Sequence, residues 1–248
     1  MTVIELRRCR PLLGTFVEIS ASGPGRARLE RAITRAFRRI ERLQGLLSAH
    51  DPASELSRLH FATRPTAVGI HLWRVLRAAA RLARESGGAF DATMGSGRFE
   101  LLPERRVRLA PGTRLDLGGI AKGYCVDRAV ETLRRAGARA GLVNAGGDLR
   151  AFGERGYPLH LRHPADAQRL APFFELRDAA LATSAHYAAG SERRSPRRGE
   201  DLPAAVSVSV CAPSAMLADA LTKVVGALGG AAAPLLARHG ARAWVVGA

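Results

Sequence analysis

The chain has 248 residues, with 38 Lys+Arg against 22 Asp+Glu for a formal net charge of +16, and 47% of it is hydrophobic. That composition is globular, and a chain of this length buries roughly 70% or more of the surface its unfolded form exposes, so no disulfide or structural metal is required for stability. Cys9, Cys125 and Cys211 are an odd number without a CxxC or Cys/His pattern, which excludes a disulfide framework or a zinc site as the basis of the fold.

The thiols point to a reducing, cytoplasmic setting. There is no run of about 18 uncharged apolar residues, and no apolar stretch follows Arg7, Arg8 and Arg10, so neither a membrane span nor a signal peptide is expected. Two of the 38 basic residues, Lys122 and Lys223, are lysines; every other one is arginine. Such a surface attracts anions.

Residues 12–20, LLGTFVEIS, predict a first strand, ended by Gly23-Pro24-Gly25. From Arg26 to Leu47 apolar residues recur every three to four positions while arginines at 26, 28, 31, 35, 38, 39 and 42 fill the remainder, the pattern of an amphipathic helix with a basic outer face. The one aromatic residue among those arginines, Phe37, falls on the apolar positions, so a solvated helix face is preferred to a nucleic-acid stripe. Asp51-Pro52 and Ser54-Glu55 mark a turn and a short helix. Further helices are expected over 72–86, 119–136, 216–228 and 232–239, with short strands at 106–109, 142–144, 159–162, 173–176, 206–211 and 243–246. Strands and helices in this irregular alternation predict an α+β or mixed-sheet fold, and the length allows one or two domains. Residues 188–203, AAGSERRSPRRGEDLP from Ala188 on, are polar and aperiodic and read as a mobile basic loop.

Four segments could carry chemistry. LDLGGIAKGYCVDRA (115–129) sets Asp116, a glycine pair, Lys122 and Gly123 at a helix entry, which suits either a phosphate cradle or a tight turn with a helix cap. NAGGDL (144–149) follows a strand; a hairpin turn is favoured there, with close approach of a ligand as the other reading. GGAFDATMG (87–95) brings Phe90 and Asp91 into a loop, where they serve a planar polar ligand or a core anchor with a cap. In SAMLADALTKVV (214–225), Asp219 and Lys223 stand four residues apart, as an ion pair or with Asp219 as a metal carboxylate.

Taken in order, LLGT (12–15), SAHDPASELSRLH (48–60), GGAFDATMG, LDLGGIAKGY, LVNAGGDLRAFG (142–153), AALATSAHY (179–187) and LADALTKVVGALG (217–229) resemble the ApbE family of FAD:protein FMN transferases. The resemblance implies an α+β fold related to the T-fold, with antiparallel sheets packed against helices in a single domain over 1–248. It implies cleavage of FAD with Mg²⁺ and transfer of FMN onto a Thr or Ser hydroxyl of an acceptor protein. Carried over by residue, it implies flavin or nucleotide contacts at Leu13, His50, Ala89, Phe90, Asp91, Asp116 and Lys122. The metal would take the Gly119 carbonyl and Asp219. Two departures stand out. The family's histidine stretch is replaced by the arginine-rich loop 188–203, leaving His186 as the nearby candidate base. Lys223 stands where the family has Thr, with Thr222 one position early. A chain that binds flavin nucleotide without transferring FMN is the second reading.

Overall fold

The first hairpin sets one end of the architecture: β1 (Ile4–Leu12) pairs antiparallel with β2 (Thr15–Gly23). This corrects the expected single strand over 12–20. Leu12 faces Thr15 across a two-residue turn, with Leu13 at φ 57° and Gly14 at φ 71°. Two consecutive left-handed residues match the twist of antiparallel strands, but leucine resists that conformation. The Leu13 N–H donates to Gln44 Oε1 at 2.7 Å, tying the turn to the following helix. The chain is seen in a computed structural model that describes residues 4–163, 166–185 and 206–247.

Helix α1 (Arg26–Leu47) runs as its periodicity predicts. Leu29, Ile33, Phe37, Ile40, Leu43 and Leu47 are buried along one stripe, and the arginines lie outside it. After it come α2 (Glu55–His60), whose cap Ser54 accepts from the Ser57 N–H, and β3 (Thr66–Ala67). Then follow α3 (Ile70–Glu85), β4 (Phe99–Leu102) and β5 (Arg106–Leu109). Strands β3, β5 and β4 form a small antiparallel sheet in that order.

The rest of the chain builds the main sheet and its cover. Helix α4 (Ala121–Arg135) leads into β6 (Ala140–Ala145) and β7 (Asp148–Phe152). Next are β8 (Tyr157–His163), β9 (Asp166–Leu176), β10 (Ala180–Ala185) and β11 (Val206–Ala212). Helices α5 (Ala215–Leu228) and α6 (Ala233–Arg238) precede β12 (Arg242–Gly247). Seven strands pair in the order β1-β2-β6-β7-β10-β11-β12, every neighbour antiparallel, while β8 and β9 form a separate hairpin.

Alternation sorts the two faces of the main sheet. Val143, Ala180, Ala182, Val208 and Val210 join the large core formed with α1, α4 and α5. Their neighbours Leu142, Leu181 and Cys211 belong to a second cluster with Tyr157, Leu176, Phe173, Phe174 and Trp244. There the Phe173 and Phe174 rings meet edge-on at 4.6 Å, with Trp244 at 4.9 Å and 5.4 Å from them. The helical stretch Ala215–Arg238 is long and apolar enough to cross a membrane by length and composition alone. Core packing accounts for that apolarity in α5, where Ala215, Ala218, Leu221, Val224 and Val225 are buried.

Helices α4 and α5 pack closely because Gly123 has no side chain. A Cβ there would sit 2.1 Å from the Ala215 carbonyl oxygen and 2.4 Å from its carbon, both backbone atoms that cannot rotate aside. Gly123→Ala is therefore expected to push the helices apart and cost about 2–3 kcal/mol. Urea unfolding of the two proteins checks this, and equal midpoints would contradict the close packing.

Candidate functional site

A cleft of about 1200 Å³ opens where turns from distant parts of the chain converge. The β1–β2 turn contributes Leu13 and Gly14, the end of α1 and its exit contribute Gln44, Ser48 and His50, and the entry to α4 contributes Asp116, Gly118 and Lys122. Asn144, Gly146 and Gly147 come from the β6–β7 turn, Thr183 and Ser184 from β10, and Lys223 from α5. The volume exceeds the usual range for small-ligand pockets and suits a large ligand.

Local chemistry fixes the walls. The α4 entry is a tight turn in which the Asp116 carboxylate accepts from the Gly118 N–H at 2.7 Å, while the Asp116 N–H donates to the Ala92 carbonyl at 2.8 Å. The β6–β7 connection is the favoured hairpin turn: Ala145 faces Asp148, with Gly146 at φ 61° and Gly147 at φ 101°. The same turn lines the cleft through Gly146 and Gly147.

Two buried carboxylates outside the lining each pair with a lysine that lines the cleft. Asp148, the first residue of β7, is 1% exposed and bonds Lys122 Nζ at 2.7 Å. Burial pushes its carboxyl up to about 7; the charge of Asp219 adds to the rise, and Lys122 opposes it. Asp219, also 1% exposed, accepts the Gly123 N–H on Oδ2 at 3.3 Å and has Lys223 Nζ 3.6 Å from Oδ1. At that separation and an effective dielectric of about 20 the attraction is on the order of 4 kcal/mol before desolvation. The Lys223 ammonium also reaches Thr222 Oγ1 at 3.0 Å and Ser184 Oγ at 3.3 Å. Cys125 lines the same cleft with its thiol pushed up to about 12 by burial, which leaves it unreactive.

The expected site residues divide into three groups. Leu13, His50, Asp116 and Lys122 line the cleft, and Asp219, outside the lining, pairs with Lys223, which lines it. Gly119 lies against Lys223: a Cβ on it would come within 3.2 Å of the lysine Cε and Cγ. Thr222 is buried, its hydroxyl donating to the Asp219 carbonyl at 2.7 Å.

The second group stands apart from this lining. Ala89, Phe90 and Asp91 do not line the cleft. Ala89 and Phe90 are core residues, 7% and 4% exposed. The Asp91 carboxylate is occupied by its own loop, accepting from the Thr93 N–H and hydroxyl at 2.8 Å and the Gly95 N–H at 2.9 Å. That loop braces the site from behind, through the Ala92 carbonyl that holds Asp116. The third group, His186 and the basic loop 188–203, lies outside the described residues.

Sequence reasoning missed Asp127. It is 4% exposed, ion-paired with Arg150, and its carboxylate accepts from the Ala215 and Met216 N–H groups at 2.9 Å and 3.0 Å. It therefore holds the start of α5, the helix that carries Asp219 and Lys223. Its position on the apolar stripe of α4, three residues from both Tyr124 and Val130, was the available signal.

Comparisons with known proteins converge on one group. The ApbE family model matches residues 13–102 and 96–245. A protein of Treponema pallidum named FAD:protein FMN transferase is 27% identical over 289 aligned positions, covering 92% of this chain and 80% of that one. One of Klebsiella pneumoniae with the same name is 27% identical over 192, covering 64% of this chain and 60% of the relative's length. The solved ApbE protein of Thermotoga maritima superposes with a TM-score of 0.85 at 24% identity, covering all of this chain and 96% of that one. The flavin transferase ApbE from Vibrio cholerae gives 0.84 at 23% identity, covering 98% and 93%. At such identities the superpositions speak for the fold, while the family model spans nearly every described element, and on that match the chain belongs to the ApbE family.

Proposed function

We propose that the protein binds FAD in this cleft and transfers its FMN half to a Thr or Ser hydroxyl of an acceptor protein. The observation that carries the reading is that both lysines of an otherwise arginine-only chain border this one cleft, beside a glycine-walled helix entry. An ammonium is a compact phosphate-binding charge, and backbone N–H groups at a helix entry attract the same ligand. The names carried by the relatives supply the substrate class.

In the reaction, a bond forms from the acceptor oxygen to the FMN phosphorus and the diphosphate bridge breaks. AMP departs with the bonding electron pair, and the hydroxyl proton is released. Lys122 neutralises charge that grows on the phosphate oxygens as the bridge breaks, in a wall where low dielectric strengthens the effect. The Mg²⁺ implied by the resemblance does not fit the donors as they stand. Asp219 Oδ1 faces an ammonium, Oδ2 accepts a backbone N–H, and the Thr222 hydroxyl is turned to a carbonyl. Among the described residues no group of three or more His, Cys, Asp or Glu could hold a metal. No step is therefore routed through the ion.

Incubating the protein with FAD and a flavin-dependent acceptor, then weighing the acceptor by mass spectrometry, tests the proposal. One added FMN on a Thr or Ser peptide is the expected result. An unmodified acceptor, under conditions where an ApbE relative modifies it, would count against transfer.

A further inference from the structure

The cleft contains its own cation. Lys223 lies with its stem against Gly119, close enough that a Cβ on that glycine would be 3.2 Å away. Its ammonium stands among three oxygens: Asp219 Oδ1 at 3.6 Å, Thr222 Oγ1 at 3.0 Å and Ser184 Oγ at 3.3 Å. Any divalent ion bound at Asp219 Oδ1 must enter the space that this ammonium fills. Such an ion needs near-octahedral oxygens at roughly 2.0–2.1 Å and sheds water reluctantly, so a site that also requires expulsion of a paired lysine is a poor one.

Residue choice points the same way. Every other basic position in the chain is arginine, and the two lysines are those set beside the buried carboxylates Asp148 and Asp219. A guanidinium is wide, planar and forked, whereas an ammonium is a point charge that fits where an ion would sit.

We propose that the Lys223 ammonium takes the place of a divalent cation in this cleft, neutralising Asp219 and presenting a fixed positive charge to the diphosphate of the nucleotide, so that FAD binds without Mg²⁺. The inference rests on the reading of the cleft as an FAD site. It also assigns a cost: one fixed charge replaces two, so the family's phosphate chemistry runs here with weaker charge neutralisation.

FAD affinity, read from flavin fluorescence, separates the possibilities without recourse to turnover. The parent protein is titrated with FAD in EDTA and in millimolar Mg²⁺, and Lys223→Thr and Lys223→Met are titrated alongside. The parent should give the same dissociation constant in both buffers. Lys223→Thr should bind FAD about tenfold or more weakly in EDTA and recover with Mg²⁺, because its hydroxyl frees the space beside Asp219. Lys223→Met, which fills the space without a charge, should stay weak in both. Tightening of the parent by about tenfold on adding Mg²⁺ would overturn the inference alone, with or without folded variants. Absence of FAD binding by the parent in either buffer would overturn the FAD reading and this inference with it.

Discussion

Replacing Lys122 with Ala is expected to weaken FAD binding about tenfold or more and to make the fold lose stability relative to the parent as pH rises above 7. The first effect follows from deleting a charge-assisted phosphate contact, worth about 1.5–3 kcal/mol. The second follows from Asp148, whose carboxyl is already held up to about 7 by burial and by Asp219, against the downward pull of Lys122. With a raised folded value, the native state retains a proton that the unfolded chain gives up. In the parent, stability therefore falls as pH climbs from the ordinary carboxylate range to about 7 and then levels. Without Lys122 the folded value moves higher and the falling window extends with it. The gap between parent and Lys122→Ala should widen above pH 7 by up to ~1.4 kcal/mol per unit. Urea unfolding on both sides of pH 7 measures it; a gap independent of pH would show that Asp148 does not depend on Lys122.

Asp127→Ala should be the most damaging single change to the scaffold, by about 3–5 kcal/mol. It strands one buried and one half-buried backbone N–H group at the start of α5 and removes the partner of Arg150, whose side chain is 20% exposed. Asp127→Asn keeps an acceptor and should lose less. Because α5 carries Lys223, the Ala variant should also bind FAD more weakly where it remains folded. A loss under about 1 kcal/mol would mean that α5 finds its position without this carboxylate.

Where the sequence was legible, a single physical signal dominated. Helix α1 declared itself because its apolar stripe repeats over six turns, and its ends fall at Arg26 and Leu47 as expected. Strand β10, ALATSA, carries almost no β-branched character and was not anticipated; it forms because β7 and β11 supply ladders on both sides. The β1–β2 turn was invisible because a leucine occupies a conformation that local propensity assigns to Gly or Asn, and Gln44, which steadies it, lies 31 residues away. At the site, glycines and lysines marked the walls, since few other roles demand them. The aromatic-acid pair Phe90-Asp91 was open to two readings, a ligand contact or a core anchor with a cap; Phe90 is buried, and the Asp91 carboxylate accepts hydrogen bonds within its own loop. Asp127 drew no attention in the sequence because its partners, Ala215 and Met216, are 88 and 89 residues away.

The cleft's distant parts have a kinetic consequence. Strand β2 must find β6, pairing Val17 with Ala145, and the base of the cleft closes only when α5 docks on α4. Contacts of such sequence separation carry a loop-closure cost before they bring any gain, so the chain should fold slowly for its size. During synthesis the cleft is incomplete until residue 223 has emerged and docked. A ligand that needs every wall in place contributes little to the folding transition state, in which those walls are incomplete. FAD should accordingly leave the refolding rate nearly unchanged and slow unfolding, extending the lifetime of the native state in proportion to its occupancy.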